Sequence, residues 1–282
     1  MLVKPVPAAQ RSVVAMVVFL TSACASTPGP QPSPTLSADC RTESLQTITP
    51  GRITWAARDP GHAPWTIDDP ADGRGYEAAV AAAVSRHLGF PRDRTQWVQA
   101  TKNTLLQPGP KDFDLGFDQV PVTPQREPNA QFSSPYYDVR QAVIARDDNL
   151  DVRSVTTAAD LASVRLGAPA GSAALASIAE SIRPAAPPTI FHSSDDAKNA
   201  LLAGSIEALV VDLPTAFYLT TVELTGTRVV GALPQTTPDP ERFGFVLPAD
   251  SPLGPCVATA ISDLRRDGTL RQLEETWLGR SL

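Results

Sequence analysis

The sequence has little of what usually marks a metal centre, a nucleotide site or a nucleic-acid surface. Its 282 residues include only three histidines, and their positions give no metal-ligand spacing. Acidic residues outnumber basic ones, and a formal net charge of −6 disfavours nucleic-acid binding. The glycine-rich phosphate-binding pattern, the dinucleotide fingerprint and the GxSxG nucleophile pattern are all missing. We therefore expect no metal, no cofactor and no nucleic-acid partner.

Long hydrophobic runs are also missing, and one short run lies near the N-terminus. It covers residues 12–20 (SVVAMVVFL), follows two basic residues, and is too short to span a bilayer. Small residues then lead to Cys24, as in a lipoprotein signal, although leucine is commonest where Thr21 stands. We predict a signal peptide over 1–23 and a lipid on Cys24. Ordinary cleavage nearby, with Cys24 lost or left free, is the alternative.

A proline-rich stretch follows Cys24. Four prolines stand at alternate positions between 28 and 34, a composition that favours extended polyproline geometry and cannot form a core. At about 3.1 Å per residue, such a segment reaches on the order of 45 Å. We predict that residues 24–40 are a tether between a membrane and a folded body.

The rest of the chain alternates short apolar runs with longer amphipathic segments. Runs rich in β-branched and aromatic residues predict strands, and apolar residues three and four apart predict helices. The predicted strands are 52–57, 96–100, 113–117, 141–145, 165–169, 189–193 and 207–212. The predicted helices are 75–89, 172–182 and 193–204, with two more near the C-terminus. Such alternation is typical of an α/β fold.

Side chains suited to a free amino acid occur in three segments: VTPQREPNAQFSSPYYD (122–138), GAPAGSAAL (167–175) and EALVVDLPTAFY (207–218). Arg126, in the first segment, can bind a carboxylate through two parallel hydrogen bonds. Residues 171–173 lie where a strand gives way to a helix, so backbone N–H groups would meet an anion there. Asp212 ends an apolar run and can accept hydrogen bonds from an ammonium group. A zwitterion needs both kinds of partner, because a buried charge is costly unless it is paired.

The order and spacing of these segments resemble the bacterial extracellular solute-binding proteins of family 3, the polar amino acid receptors of ABC importers. Two more segments share the resemblance: GRITWAARDPGHAPW and LRRDGTLRQLEETWLG. The stretch PGPKDFDLGFDQVPVTP resembles an actinobacterial type of that family. The resemblance runs from about residue 51 to 279.

The resemblance implies a two-lobed α/β, periplasmic-binding-protein-like fold (type II) with two crossover hinge strands. Lobe 1 would comprise 41–139 plus 243–282, and lobe 2 would comprise 140–242.

The resemblance also implies roles for the central residues. Arg126 would bind the carboxylate of the ligand, and Asp212 would bind its ammonium group. Backbone N–H groups of Ser172 and Ala173, next to Gly171, would also hold the carboxylate. Simpler interpretations stay open. Arg126 would then be a surface arginine, Asp212 a helix cap, and Ser172 the cap of a plain helix N-terminus.

Five further residues would line the same pocket: Trp65, His62, Asp59, Gln119 and Lys102. Trp65 would contact the apolar stem of the ligand, unless it belongs to the core instead. His62 and Lys102 stand where aromatic residues are usual, and with Arg126 they would make the pocket more basic. That composition favours an acidic or amide side chain on the ligand. Pro121 stands where a serine or threonine normally donates to the carboxylate, which leaves the ligand class open.

The cysteines form an even pair if Cys24 carries lipid. The resemblance places the remaining two, Cys40 and Cys256, on the same lobe, and an extracytoplasmic compartment is oxidising. We therefore predict a disulfide between them, with two buried free thiols as the alternative.

The predicted function is that of a lipid-anchored binding protein on the outer face of the cytoplasmic membrane. As a monomer, it would capture a polar L-amino acid between two lobes and deliver it to an ABC permease, without being an enzyme. Two alternatives stay open. One is a sensor that reports to a membrane signalling partner, and the other is a dehydratase that uses Asp59 or Glu77 as acid or base.

Overall fold

The computed structural model describes residues 40–123, 130–236, 238–279 and 281–282. The predicted signal peptide, Cys24, Arg126 and almost all of the predicted tether therefore lie outside the described residues. Within the described ranges, no helix is both long enough and apolar enough to cross a membrane.

Helices and strands alternate along much of the described chain. The strands are β1 Ile53–Ala57, β2 Thr95–Gln99, β3 Leu115–Phe117, β4 Gln131–Phe132, β5 Tyr137–Asp138, β6 Gln141–Arg146, β7 Leu166–Pro169, β8 Thr189–Phe191, β9 Ala208–Asp212, β10 Thr227–Ala232, β11 Arg242–Phe243 and β12 Val246–Leu247. The α-helices are α1 Tyr76–His87, α2 Lys102–Leu105, α3 Leu150–Arg153, α4 Ala173–Ser177, α5 Ser194–Leu202, α6 Leu213–Tyr218, α7 Gly254–Arg266 and α8 Thr269–Trp277. Two π-helical turns, Ile178–Ile182 and Leu219–Glu223, extend α4 and α6.

The first sheet takes strands from both ends of the described chain, in the order β2-β1-β3-β12-β4. β1 pairs in parallel with β2 and β3, and β12 pairs antiparallel with β3 and β4. Every residue of β1 is buried, as expected for a central strand that is covered on both faces. Val80 and Val84 of α1 join Ile53 and Trp55 of β1 in one apolar core.

The second sheet comes from the middle of the chain, in the order β10-β6-β9-β7-β8. β7 lies parallel to β8 and β9, whereas β6 lies antiparallel to β9 and β10. Successive side chains of a strand point to opposite faces, so Leu209 packs with α5 and α6 while Val210 packs with α4. Because β7 and β9 are parallel neighbours, their carboxyl ends meet at one edge, where α4 and α6 begin.

The chain passes between the two sheets twice, and the two passages run side by side. β5 leads from the first sheet towards β6, and β11 leads back towards β12. The two strands pair antiparallel, with Tyr137 opposite Phe243. The backbone N–H of Val139 extends this ladder by donating to the Glu241 carbonyl at 2.7 Å. The fold is therefore two-lobed α/β with two crossover strands, as the sequence predicts.

A disulfide joins Cys40 to Cys256 near the start of α7, which is the pairing that the sequence predicts. It links two residues 216 positions apart and ties the first described residues to α7. In the chain-entropy account, closing so long a loop contributes up to about 5 kcal/mol to stability.

Candidate ligand-binding site

Asp212 lies where β9 ends and α6 begins. Its Oδ1 accepts a hydrogen bond from the backbone N–H of Thr215 at 2.9 Å, so the side chain caps α6. Pro214 follows within the first turn, where a missing N–H costs nothing. The helix-cap interpretation is therefore correct. Because the cap bond involves Oδ1 alone, Oδ2 can accept from a ligand, and that second role stays a prediction.

The turn between β7 and α4 holds Gly171, Ser172 and Ala173. Gly171 has φ +68°, a left-handed conformation that glycine adopts without a steric penalty. The Ser172 hydroxyl donates back to the Pro169 carbonyl at 2.7 Å and makes no hydrogen bond to the first turn of α4. The interpretation of Ser172 as a side-chain cap of this helix is therefore wrong. The first N–H groups of α4 are not satisfied by that side chain and can face an anion.

One cavity of about 460 Å³ brings Asp212 together with Ser172 and Ala173. Residues near both crossovers also line this cavity. Val139 and Gln141 lie near the first crossover, and Asp239, Pro240 and Glu241 lie near the second. Lys198 of α5 lies at its wall, but its ammonium group pairs with Asp195 and Glu223, each at 2.7 Å. The hydrogen bonds to these two carboxylates raise the pKa of Lys198, so it stays charged and engaged.

A second cavity of about 380 Å³ contains three other predicted residues: His62, Trp65 and Gln119. Across from them lie Pro214, Phe217, Tyr218, Thr221 and Val222, from α6 and the turn that extends it. Asp212 and Thr215 line the first cavity and Pro214 lines the second, so the first turn of α6 contributes to both cavities. Among the described residues that line the second cavity, none is Asp, Glu, Lys or Arg.

Trp65 belongs mainly to the core. It is 3% exposed, and its ring lies 5.9 Å from Tyr76, 5.2 Å from Tyr137 and 5.7 Å from Phe243 in edge-to-face contacts. The core interpretation is therefore correct, although the residue also forms part of the wall of the second cavity.

Asp59 and Lys102 line neither cavity. Asp59 is exposed, and its carbonyl accepts from the Gln99 side chain at 2.7 Å. Lys102 begins α2, and its backbone N–H donates to Asp118 at 2.8 Å. Three residues were expected to make the pocket basic. Of the two that the structure describes, His62 lines a cavity and Lys102 does not; Arg126 lies outside the described residues.

Two charged residues that the sequence interpretation left out lie next to this region. Arg58 directly follows β1 and Asp118 directly follows β3, and their side chains form an ion pair at 2.9 Å. The sequence does place one charged residue directly after each of two predicted strands, but the pair forms because β1 and β3 are parallel neighbours whose carboxyl ends share one edge. Sequence alone did not reveal that these two strands are adjacent.

The described residues contain no group of three or more His, Cys, Asp or Glu side chains that could hold a metal ion. The residues that line the two cavities offer groups for hydrogen bonding, charge pairing and apolar contact.

The chain belongs to the bacterial extracellular solute-binding proteins of family 3, whose family profile matches residues 55–280. It is 25% identical over 211 residues to the L-cystine-binding protein TcyJ of Escherichia coli strain K12. This match covers 73% of this chain and 74% of that protein. It also resembles the solved L-cystine solute receptor of Neisseria gonorrhoeae in its unliganded open conformation. There the identity is 22%, the TM-score is 0.53, and the match covers 81% of this chain and 93% of that one. This second likeness concerns the fold.

Proposed function

We propose that the chain is the substrate-binding component of an ABC importer. It captures a polar L-amino acid in the cleft between its lobes and delivers it to a membrane permease. Lobe 1 comprises 41–139 plus 243–282, and lobe 2 comprises 140–242. This division is supported by the strands, since the first sheet uses 53–132 with 246–247 and the second uses 141–232. Family membership supports an extracytoplasmic role of this kind.

The observation that carries the proposal is the cavity that Asp212 shares with the start of α4. Asp212 offers a carboxylate to an ammonium group, and the first turn of α4 offers N–H groups to a carboxylate. Both follow parallel neighbouring strands, so the two ends of an α-amino acid find opposite partners at one edge of one sheet. Arg126 completes the carboxylate site from the other lobe in this proposal.

The ligand side chain enters the second cavity in this proposal. His62, Gln119, Thr221 and the hydroxyl of Tyr218 supply polar groups there, and Trp65, Phe217 and Tyr218 supply aromatic surface. A full charge on the ligand side chain would be buried there without an opposite charge, which is costly. We therefore favour a polar side chain without net charge over an acidic one.

We also propose that Cys24 carries lipid and holds the protein, as a monomer, on the outer face of the cytoplasmic membrane. The substitution Cys24→Ala should then move the protein from the membrane fraction into the soluble secreted fraction. Unchanged retention in the membrane fraction would argue against the anchor.

The test of the binding function is a thermal-shift and calorimetry panel on the Cys24→Ala protein. L-Cystine is the first probe because two similar proteins are named for it, and the common L-amino acids follow. A true ligand at a hundred times its Kd should add about 2.7 kcal/mol to the free energy of unfolding. The D-enantiomer of the best ligand is the control. No shift with any amino acid would overturn the proposal.

A further inference from the structure

A buried carboxyl group lies beneath the wall of the second cavity. Glu77, in the first turn of α1, is 1% exposed. Its Oε1 accepts a hydrogen bond from the backbone N–H of Gln119 at 2.8 Å and another from the Tyr136 hydroxyl. The proposed binding of an amino acid does not use this group, so its burial needs another explanation.

The two partners of Glu77 belong to parts of the chain that shape the cleft. Gln119 lines the second cavity and has φ +51°, a left-handed conformation that is uncommon for residues other than glycine. Such a backbone persists when its surroundings hold it. Tyr136 directly precedes the crossover strand β5, and its carbonyl accepts from the Tyr76 hydroxyl at 3.0 Å. One carboxyl group therefore connects the cavity wall to the start of a crossover.

The charged groups around Glu77 come from three neighbouring segments. Asp118 stands next to Gln119 and pairs with Arg58, and Lys102 begins α2. Burial raises the pKa of Glu77 to about 7, and the nearby Asp118 carboxylate raises it too. The Tyr136 hydroxyl, the Gln119 N–H and Lys102 lower it by a smaller amount. Glu77 therefore exchanges its proton near neutral pH.

We propose that Glu77 is a positioning residue of the cleft: its ionised carboxylate holds the backbone of Gln119 against the cavity, and protonation loosens that hold. Hydrogen bonds to an ionised acceptor are roughly twice as strong as those to a neutral one. Loss of the charge therefore weakens both bonds at Oε1 together. The wall of the second cavity becomes firmer as the pH rises through neutrality. The inference does not depend on which ligand the cleft takes.

The test follows the backbone amide of Gln119 by ¹H–¹⁵N NMR in the ligand-free Cys24→Ala protein, between pH 5 and 9. In the parent, its proton resonance should move downfield as the pH rises, with a midpoint near 7. In Glu77→Gln this titration should be lost. In the parent, the hydrogen bond from the Tyr136 hydroxyl favours the ionised form of Glu77. In Tyr136→Phe that bond is lost, so the midpoint should move to higher pH. The second variant keeps the test decisive if the first does not fold.

Two controls separate this effect from a general response to pH. The backbone N–H of Thr54 donates to the buried Asp114 at 2.7 Å, so its resonance should be the same in the parent and in Glu77→Gln. The exposed Glu180→Gln variant removes one charge elsewhere and should leave the Gln119 titration in place. A Gln119 amide that does not titrate in the parent, or that still titrates in Glu77→Gln, would overturn the proposal.

Discussion

Asp212 caps α6, and one pair of substitutions can separate this structural role from the binding role that we propose for it. Asparagine caps helices about as well as aspartate, so Asp212→Asn should leave the free energy of unfolding nearly unchanged. It removes the negative charge, however, and we expect ligand binding to weaken by roughly 2–5 kcal/mol because the ammonium group loses its partner. Asp212→Ala should lose the same binding energy and also about 0.5–2 kcal/mol of stability.

Calorimetry with the ligand found in the panel measures the first effect, and urea unfolding measures the second. Both variants binding within twofold of the parent, while folded, would show that Asp212 is a helix cap and nothing more.

Glu77 makes stability depend on pH. Its pKa is about 7 in the folded chain, because burial disfavours the charge, against an ordinary value of 4.5. Because the pKa is higher in the folded state, Glu77 makes a contribution to the free energy of unfolding that is fully present below pH 4.5. That contribution is lost as the pH rises towards 7. We expect the free energy of unfolding of the parent to fall by roughly 3 kcal/mol over this range relative to Glu77→Gln. Urea unfolding of both proteins at several pH values measures the difference. A constant difference across the range would contradict the assignment.

At the scale of secondary-structure elements, β1 and α1 are joined by a buried hydrogen bond as well as by apolar packing. The indole N–H of Trp55 donates to the Ser85 hydroxyl at 2.8 Å, and both residues are buried. Ser85→Ala would leave that N–H without a partner, so we expect a loss of about 1–3 kcal/mol in stability by urea unfolding. The exposed Ser163→Ala is the matched control and should change stability by less than about 0.5 kcal/mol. Equal effects of the two substitutions would argue against the bond.

The long elements were predictable from sequence, and some of the shortest were not. The apolar run at 52–57 and the amphipathic run at 75–89 correspond to β1 and α1 within a few residues. The predicted helix 172–182 begins correctly, but after Ser177 it continues as a π-helical turn that ends at Arg183 in a left-handed conformation. Two two-residue strands, β4 and β5, went unpredicted. Strands this short are defined by the partner they pair with and carry no periodicity of their own.

The candidate site was predictable only in part, for reasons that lie in the whole molecule. That Asp212 and Ser172 lie where a strand gives way to a helix could be predicted from the sequence, and the resemblance groups them in one site; the structure adds that their strands are parallel neighbours and that both residues line one cavity. The core role of Trp65 could not be established, since its three aromatic contacts come from residues 11 to 178 positions away. The pair of Arg58 and Asp118 was missed for the same reason, because it depends on which strands are adjacent.

The disulfide acts on the stability of the whole molecule, at a distance from the cavities. Neither cavity is lined by residues 40–57 or by α7, the segments that Cys40 and Cys256 connect. We expect the double substitution Cys40→Ala and Cys256→Ala to lower the free energy of unfolding by up to about 5 kcal/mol, because the unfolded chain regains the freedom of a loop spanning most of its length. Ligand affinity at a temperature where the variant stays folded should be unchanged.

Urea unfolding with and without reductant measures the effect on stability: the parent should respond to reductant and the double variant should not. Mass spectrometry of the unreduced parent should find the two cysteines in one linked peptide pair. If both thiols are alkylated under denaturing, non-reducing conditions, the bridge does not form in the protein, its contribution to stability is absent, and α7 is held without it by packing against α1 and α8.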